Sequence, residues 1–131
     1  MARRVLVVED EIHVGEIYVN FLRQHGFDVV AVDDGTRALS EIATIRPDVI
    51  LLDLIMPNAV LDGFSLLRQL AASPAADVPI IILSALAESL EPHLSADVAK
   101  RLRIASILTK PADLRLLARH IEEVVALSTA M

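Results

Sequence analysis

Residues Val49-Ile50-Leu51-Leu52 run into Asp53 with no polar residue between them, and prolines at positions 47 and 57 bracket the segment. A strand with one wet face alternates polar and apolar residues. An unbroken aliphatic run is a strand covered on both faces, as in the middle of a parallel sheet flanked by helices. A carboxylate ending such a strand costs free energy unless a partner or ligand uses it. The carboxyl-terminal edge of an open α/β sheet is also where ligands bind. Asp53 is therefore the first candidate functional residue.

The flanking segments supply the other layers. Arg4–Val8 is a β-branched run ending in Glu9 and Asp10. Val14, Ile17, Tyr18, Phe21 and Leu22 have helical spacing over Ile12 to His25, with Gly26 placed to end that helix. Phe27–Val32 reads as a second strand. After the Asp33-Asp34-Gly35 turn, Thr36 is positioned to cap a helix carrying Ala38, Leu39, Ile42 and Ala43. Asp62-Gly63 starts a third helix with Phe64, Leu67 and Leu70 on one face. Val78–Leu83 is a fourth apolar strand ending in Ser84. Glu88–Leu102 is a weaker helical pattern, with Pro92 tolerable only in a first turn. Ala105–Thr109 is a fifth strand ending in Lys110-Pro111. The last helix runs from about Asp113 to Ala126, with Leu114, Leu117, Ile121 and Val124 as its buried stripe.

Five strands alternating with five helices require right-handed βαβ crossovers and a doubly wound parallel sheet. The connection lengths predict the flavodoxin-like (βα)5 arrangement with strand order 2-1-3-4-5. At 131 residues the chain reads as one domain, residues 1–131, with no output domain beside it. No apolar stretch approaches the roughly 18–20 residues that span a bilayer, and Arg3-Arg4 leads into no signal-type apolar region. Zero cysteines exclude disulfides and thiolate metal sites. These features predict a cytoplasmic protein with no membrane contact. A net charge of −6 argues against direct nucleic-acid binding.

In the 2-1-3-4-5 order, Glu9, Asp10, Asp53, Ser84 and Lys110 all fall at the carboxyl-terminal edge. Two unit charges about 4 Å apart cost on the order of 4 kcal/mol at an effective dielectric near 20, and unpaired carboxylates there have raised pKa values. A hard divalent cation removes that cost. An all-oxygen donor set selects Mg²⁺, with Mn²⁺ as the alternative, over Zn²⁺. Mg²⁺ completes its shell with phosphate oxygens, so a phosphoryl group is expected, with Lys110 and the Ser84 hydroxyl as its holders.

Glu9-Asp10-Glu11, Asp53 with Met56-Pro57 and Asp62-Gly63, Ser84-Ala85 and Lys110-Pro111 occur in this order, each at the end of its own strand. Together they resemble the receiver domain of two-component response regulators, from Arg4 to about Val125. The resemblance implies that Asp53 is the phosphoacceptor, and that Asp10, Asp53 and the backbone carbonyl of Ile55 bind Mg²⁺ directly. It implies that Glu9 acts on the metal through water and that Ser84 and Lys110 hold the phosphoryl group. It further implies a sensor histidine kinase or histidine phosphotransfer protein as donor, and a downstream protein as target. The chain would be an autocatalytic phosphoacceptor with slow self-dephosphorylation rather than a turnover enzyme. A carboxylate is a competent nucleophile for this transfer.

The chain departs from that pattern in three places. Four residues (Asn58, Ala59, Val60, Leu61) separate Pro57 from Asp62, where the family commonly has two. The interval from Ser84 to Lys110 is a few residues longer than is usual in the family, with the excess around Glu88–Ser95, and Ile107 stands where the family usually has an aromatic three residues before the lysine. The read-out is therefore expected in the Ala85–Ser95 backbone. The face made by the Glu88–Leu102 helix, the fifth strand and the last helix is then the partner or homodimer surface. Two other functions on similar frameworks fit less well. A haloacid-dehalogenase-type phosphatase wants a second Asp where Ile55 stands, and a flavin module wants a phosphate-cradling loop where Glu9-Asp10-Glu11 would repel one. Glu11 reads as a helix-start charge, His13 as solvated and Tyr18 as core. Lys100, Arg101 and Arg103 read as caps on a helix end.

Overall fold

The structure, a computed structural model, describes residues 3–56, 60–84, 100–110 and 113–130, the last four as backbone only. In chain order the elements are β1 (Arg4–Val8), α1 (Ile12–Gln24), β2 (Asp28–Val32), α2 (Gly35–Ile45), β3 (Val49–Asp53), α3 (Gly63–Ala71), β4 (Pro79–Ser84), β5 (Arg103–Thr109) and α4 (Leu114–Ala130). All neighbouring strands pair in parallel, in the order β2-β1-β3-β4-β5. The flavodoxin-like architecture read from the sequence is the one observed. Of the Glu88–Leu102 pattern, residues 88–99 lie outside the described residues, as does the Ala85–Ser95 segment.

Every residue of β3 is buried. Its alternation is spatial rather than chemical, because successive side chains leave opposite faces of the sheet. Ile50 and Leu52 join Leu6, Val8, Ile80 and Ile82 in a core with Leu66, Leu67 and Leu70 of α3 and Ile42 of α2. Val49 and Leu51 join Val5, Val7, Ile81 and Leu83 in a second core with Tyr18 and Leu22 of α1 and Leu117 and Ile121 of α4. Truncating any one of these buried leucines to alanine costs on the order of 2–5 kcal/mol. The two cores hold the strand ends in register.

Local differences from the sequence reading have identifiable causes. Asp34, not Thr36, caps α2: its carboxylate accepts from the Thr36 N–H at 2.8 Å. Ile17 is 53% exposed, since α1 buries only the narrower face of Gly15, Tyr18 and Leu22. In α3, Leu66 is buried alongside Leu67 and Leu70, while Phe64 is half-buried. Gly26 ends α1 with φ +88°, the left-handed geometry glycine adopts at no steric cost. Strand β5 begins at Arg103, earlier than the expected Ala105, and Ala105 is skipped in the ladder: Ile80 pairs Ile104 while Ile81 pairs Ser106. This bulge puts Ile104 and Ile107, three residues apart, against the same core. Helix α4 continues past Ala126 to Ala130.

Candidate functional site at the carboxyl-terminal sheet edge

The register brings the predicted residues to one edge. Asp53 is the last residue of β3 and pairs Leu83; Ser84 is the last residue of β4 and pairs Thr109. Glu9 and Asp10 directly follow β1, and the Glu9 N–H donates to the Val32 carbonyl at 3.0 Å. Lys110 follows β5, its N–H donating to the Ser84 carbonyl at 3.0 Å. Glu9, Asp53 and Ser84 are buried.

The Lys110 ammonium stands between two carboxylates, 2.8 Å from Glu9 Oε2 and 3.0 Å from Asp53 Oδ2. The remaining oxygens take backbone donors. The Ile55 N–H donates to Asp53 Oδ1 at 3.2 Å, and the Glu11 N–H reaches Glu9 Oε1 at 3.3 Å. Asp10 completes a group in which one carboxylate oxygen from each of Glu9, Asp10 and Asp53 lies within 4.8 Å of the others. Three acidic oxygens so close, with no thiolate or imidazole in the group, fit a hard divalent cation.

One ammonium stands among three carboxylates, and at Glu9 burial adds its own cost. Burial pushes Glu9 up to about 7; the Lys110 hydrogen bond opposes that rise and the nearby Asp53 charge adds to it. For Lys110, burial acts to lower the pKa, yet its hydrogen bonds to Glu9 and Asp53 outweigh burial and hold it above its ordinary value. The edge therefore keeps its cation and carries excess negative charge. Burial also raises the Tyr18 phenol, which lies in the field of Lys110, Glu9 and Asp53; the core reading of Tyr18 holds, but the core it belongs to abuts the site.

Around this centre, Glu11 caps α1, its side chain accepting from the His13 N–H at 3.1 Å. His13 is exposed, as expected. The Ile55 side chain is exposed beside Asp53. Arg103 belongs to β5 rather than to a helix end, and its guanidinium reaches the Asp77 carbonyl. One set of contacts has no counterpart in the sequence reading: the Asp34 carboxylate accepts from the N–H groups of Val60 (2.5 Å) and Leu61 (3.2 Å), tying the turn before α2 to the end of the four-residue insertion. Asp33-Asp34-Gly35 announced a turn, but nothing in its composition names a partner 26 residues away.

A family model described as the response regulator receiver domain matches residues 5–122. The DNA-binding response regulator MtrA of Mycolicibacterium paratuberculosis (strain ATCC BAA-968 / K-10) is 37% identical over 91 residues, 70% of this chain and 39% of that protein. The response regulator MprA of Mycobacterium bovis (strain BCG / Pasteur 1173P2) is 42% identical over 85 residues, 65% of this chain and 36% of that protein. The chain thus spans less than two fifths of the curated relatives it matches. Among solved structures, the receiver domain of the Francisella response regulator 1452 superposes with a TM-score of 0.81 at 32% identity, covering 96% of this chain and 98% of that one.

Proposed function

The chain belongs to the response regulator receiver domain family, and from that premise we propose that residues 1–131 form a single receiver unit switched by phosphorylation of Asp53. The observation that carries this reading is the buried Glu9–Lys110–Asp53 bridge with Asp10 beside it. Receiver domains are signalling switches rather than turnover enzymes, and the excess of acid over base suits a site that waits for a cation and a phosphoryl group.

In the transfer, an oxygen of the Asp53 carboxylate forms a bond to the phosphorus of a phosphohistidine on a sensor kinase or phosphotransfer protein. The phosphorus–nitrogen bond breaks, and the imidazole nitrogen leaves with the electron pair. Asp10, Asp53 and the Ile55 carbonyl would hold Mg²⁺ (or Mn²⁺) directly, and Glu9 through water. Bound there, the ion would supply positive charge that offsets the carboxylates and the phosphoryl oxygens. Lys110 gives up its bond to Asp53 Oδ2 and turns to a phosphoryl oxygen, and Ser84 donates its hydroxyl to another. Loss of the phosphoryl group to water, slowly, resets the switch.

The read-out is the surface on the β5 and α4 side of the sheet, where Ile107 packs half-buried against the core. This surface binds a downstream protein or a second copy of the chain. The setting is cytoplasmic, and this domain itself touches neither membrane nor nucleic acid; among the described residues no helix is long and apolar enough to cross a bilayer. The test is incubation with Mg²⁺ and a small acyl phosphate, followed by intact mass and peptide mapping. One phosphoryl group on Asp53, absent from Asp53→Asn, is the expected result. A label retained in Asp53→Asn overturns the assignment.

A further inference from the structure

We propose that Asp34 is a positioning residue for the chemistry at Asp53, acting through a backbone brace from the β2–α2 turn to the start of α3 and onto the end of β3. This rests on the phosphoacceptor reading above and adds to it a residue outside the acidic edge. Asp34 and its neighbour hold the chain at Val60 and Leu61 from both sides. The Asp34 carboxylate accepts from Val60 and Leu61, and the Gly35 N–H returns a bond to the Leu61 carbonyl at 3.0 Å. The two backbones meet so closely that a Cβ on Gly35 would lie 2.6 Å from the Leu61 oxygen. Only glycine fits that approach.

The brace continues without a gap. Asp62, next to Leu61, caps α3 by accepting from the Ser65 N–H at 2.8 Å. Gly63 then lies directly on the strand that carries the nucleophile: a Cβ there would stand 2.5 Å from Leu54 Cα, 2.7 Å from the Leu54 oxygen and 2.9 Å from the Asp53 oxygen. The next peptide, Leu54–Ile55, supplies the N–H that holds Asp53 Oδ1. Asp34 therefore sets where Leu61 sits, Leu61 sets the start of α3, and that helix start presses on the peptides that orient Asp53 and Ile55. A displacement of about 1 Å at a reacting group can cost up to about a hundredfold in rate.

A purely structural role is a weaker account. Val60 is 92% exposed, so anchoring it buries no apolar surface. Solvent would satisfy these N–H groups equally well; what the bonds add is a fixed position. The hydrogen bonds from Thr36, Val60 and Leu61 hold the Asp34 carboxylate below its ordinary pKa, so the brace stays closed through neutral pH.

The test compares Asp34→Ala, Asp34→Asn and wild type. Three quantities are read: Mg²⁺ affinity of the unphosphorylated protein by calorimetry, the labelling rate with acyl phosphate at saturating Mg²⁺, and amide exchange at Leu61 and Ile55. Asp34→Ala should weaken Mg²⁺ binding several-fold and slow labelling roughly tenfold, with faster exchange at both amides. Asp34→Asn keeps one acceptor oxygen and should fall between; it also carries the test if the alanine variant folds poorly. Ser73→Ala removes a comparable cap at the opposite end of the sheet, where Ser73 Oγ accepts from the Ala75 N–H at 3.1 Å. It should lower stability without moving Mg²⁺ affinity or labelling rate. Folded Asp34 variants with wild-type affinity and rate overturn the brace alone. A wild type that takes no label on Asp53 overturns the function it rests on.

Discussion

The two ends of the sheet use the same residue types to opposite effect. At the amino-terminal end, Arg4 and Asp48 satisfy one another in the open: the Arg4 N–H donates to Asp48 Oδ2 at 2.8 Å and the Asp48 N–H to the Arg4 carbonyl at 2.8 Å. The Arg4 guanidinium closes the end of α2 by donating to the Ile45 carbonyl at 2.7 Å. At the carboxyl-terminal end, Lys110 bridges Glu9 and Asp53 inside the protein, and Asp10 adds a third acid to the group. One end is balanced and wet; the other is unbalanced and largely dry. Proteins relax local consistency where they work, and the relaxed end is the one proposed above as the receiver site.

Removing the cation from each end should separate them most sharply. Lys110→Met leaves two buried carboxylates facing each other and should destabilise the metal-free protein by on the order of 3 kcal/mol at pH 8. Arg4→Ala, at an exposed site, should cost under about 1 kcal/mol. Urea unfolding of both variants at pH 8 and pH 5 checks this, with the Lys110→Met cost shrinking at pH 5 as protons replace the lysine. Equal costs would erase the contrast.

The pH profile is the next largest effect. Glu9 has a folded pKa of about 7 against an ordinary value of 4.5, so between those values the folded state binds a proton that the unfolded state does not. Its contribution is fully present below pH 4.5 and lost as pH rises through 7, a fall on the order of 3 kcal/mol for this group alone. Lys110, held above its ordinary value, loses nothing in that window. Glu9→Gln should flatten the slope, whereas Asp48→Asn, at the other end of the sheet, should leave it intact. Denaturation at stepped pH without divalent ions reads the difference.

The smallest effect sharpens the balanced end. Arg46 closes α2 with φ 48°, a left-handed conformation that costs a residue with a side chain about 1–2 kcal/mol. Arg46→Gly should raise stability by about 0.5–1 kcal/mol, seen as a higher melting temperature, and leave Mg²⁺ binding untouched.

Features fixed by strand order and side-chain type were legible in the sequence; those fixed by backbone geometry were not. Val49–Leu52 announced a strand covered on both faces because burial and chemistry agree there. Each of Glu9, Asp10, Asp53, Ser84 and Lys110 ends or follows a strand, so strand order alone collected them. The Ala105 bulge was not legible, since an extra residue in one strand leaves no mark on composition and shows only in the pairing with β4. The α2 cap lies at Asp34, two residues before the expected Thr36, because Asp33, Asp34 and Thr36 are all competent caps and only backbone geometry chooses among them. The Asp34–Leu61 brace was invisible for a different reason: its donors are backbone N–H groups, which every residue carries.

The central claim is that the carboxyl-terminal edge is a cation and phosphoryl site and the amino-terminal edge is not. Thermal denaturation across a Mg²⁺ titration tests it most directly, because an ion that binds only the folded state raises its melting temperature by mass action. Wild type and Asp48→Asn should show the same Mg²⁺-dependent rise, while Asp10→Ala should show a much weaker one and a metal-free melting temperature equal to or above that of wild type. A full Mg²⁺ response in Asp10→Ala would place the ion elsewhere and contradict the account.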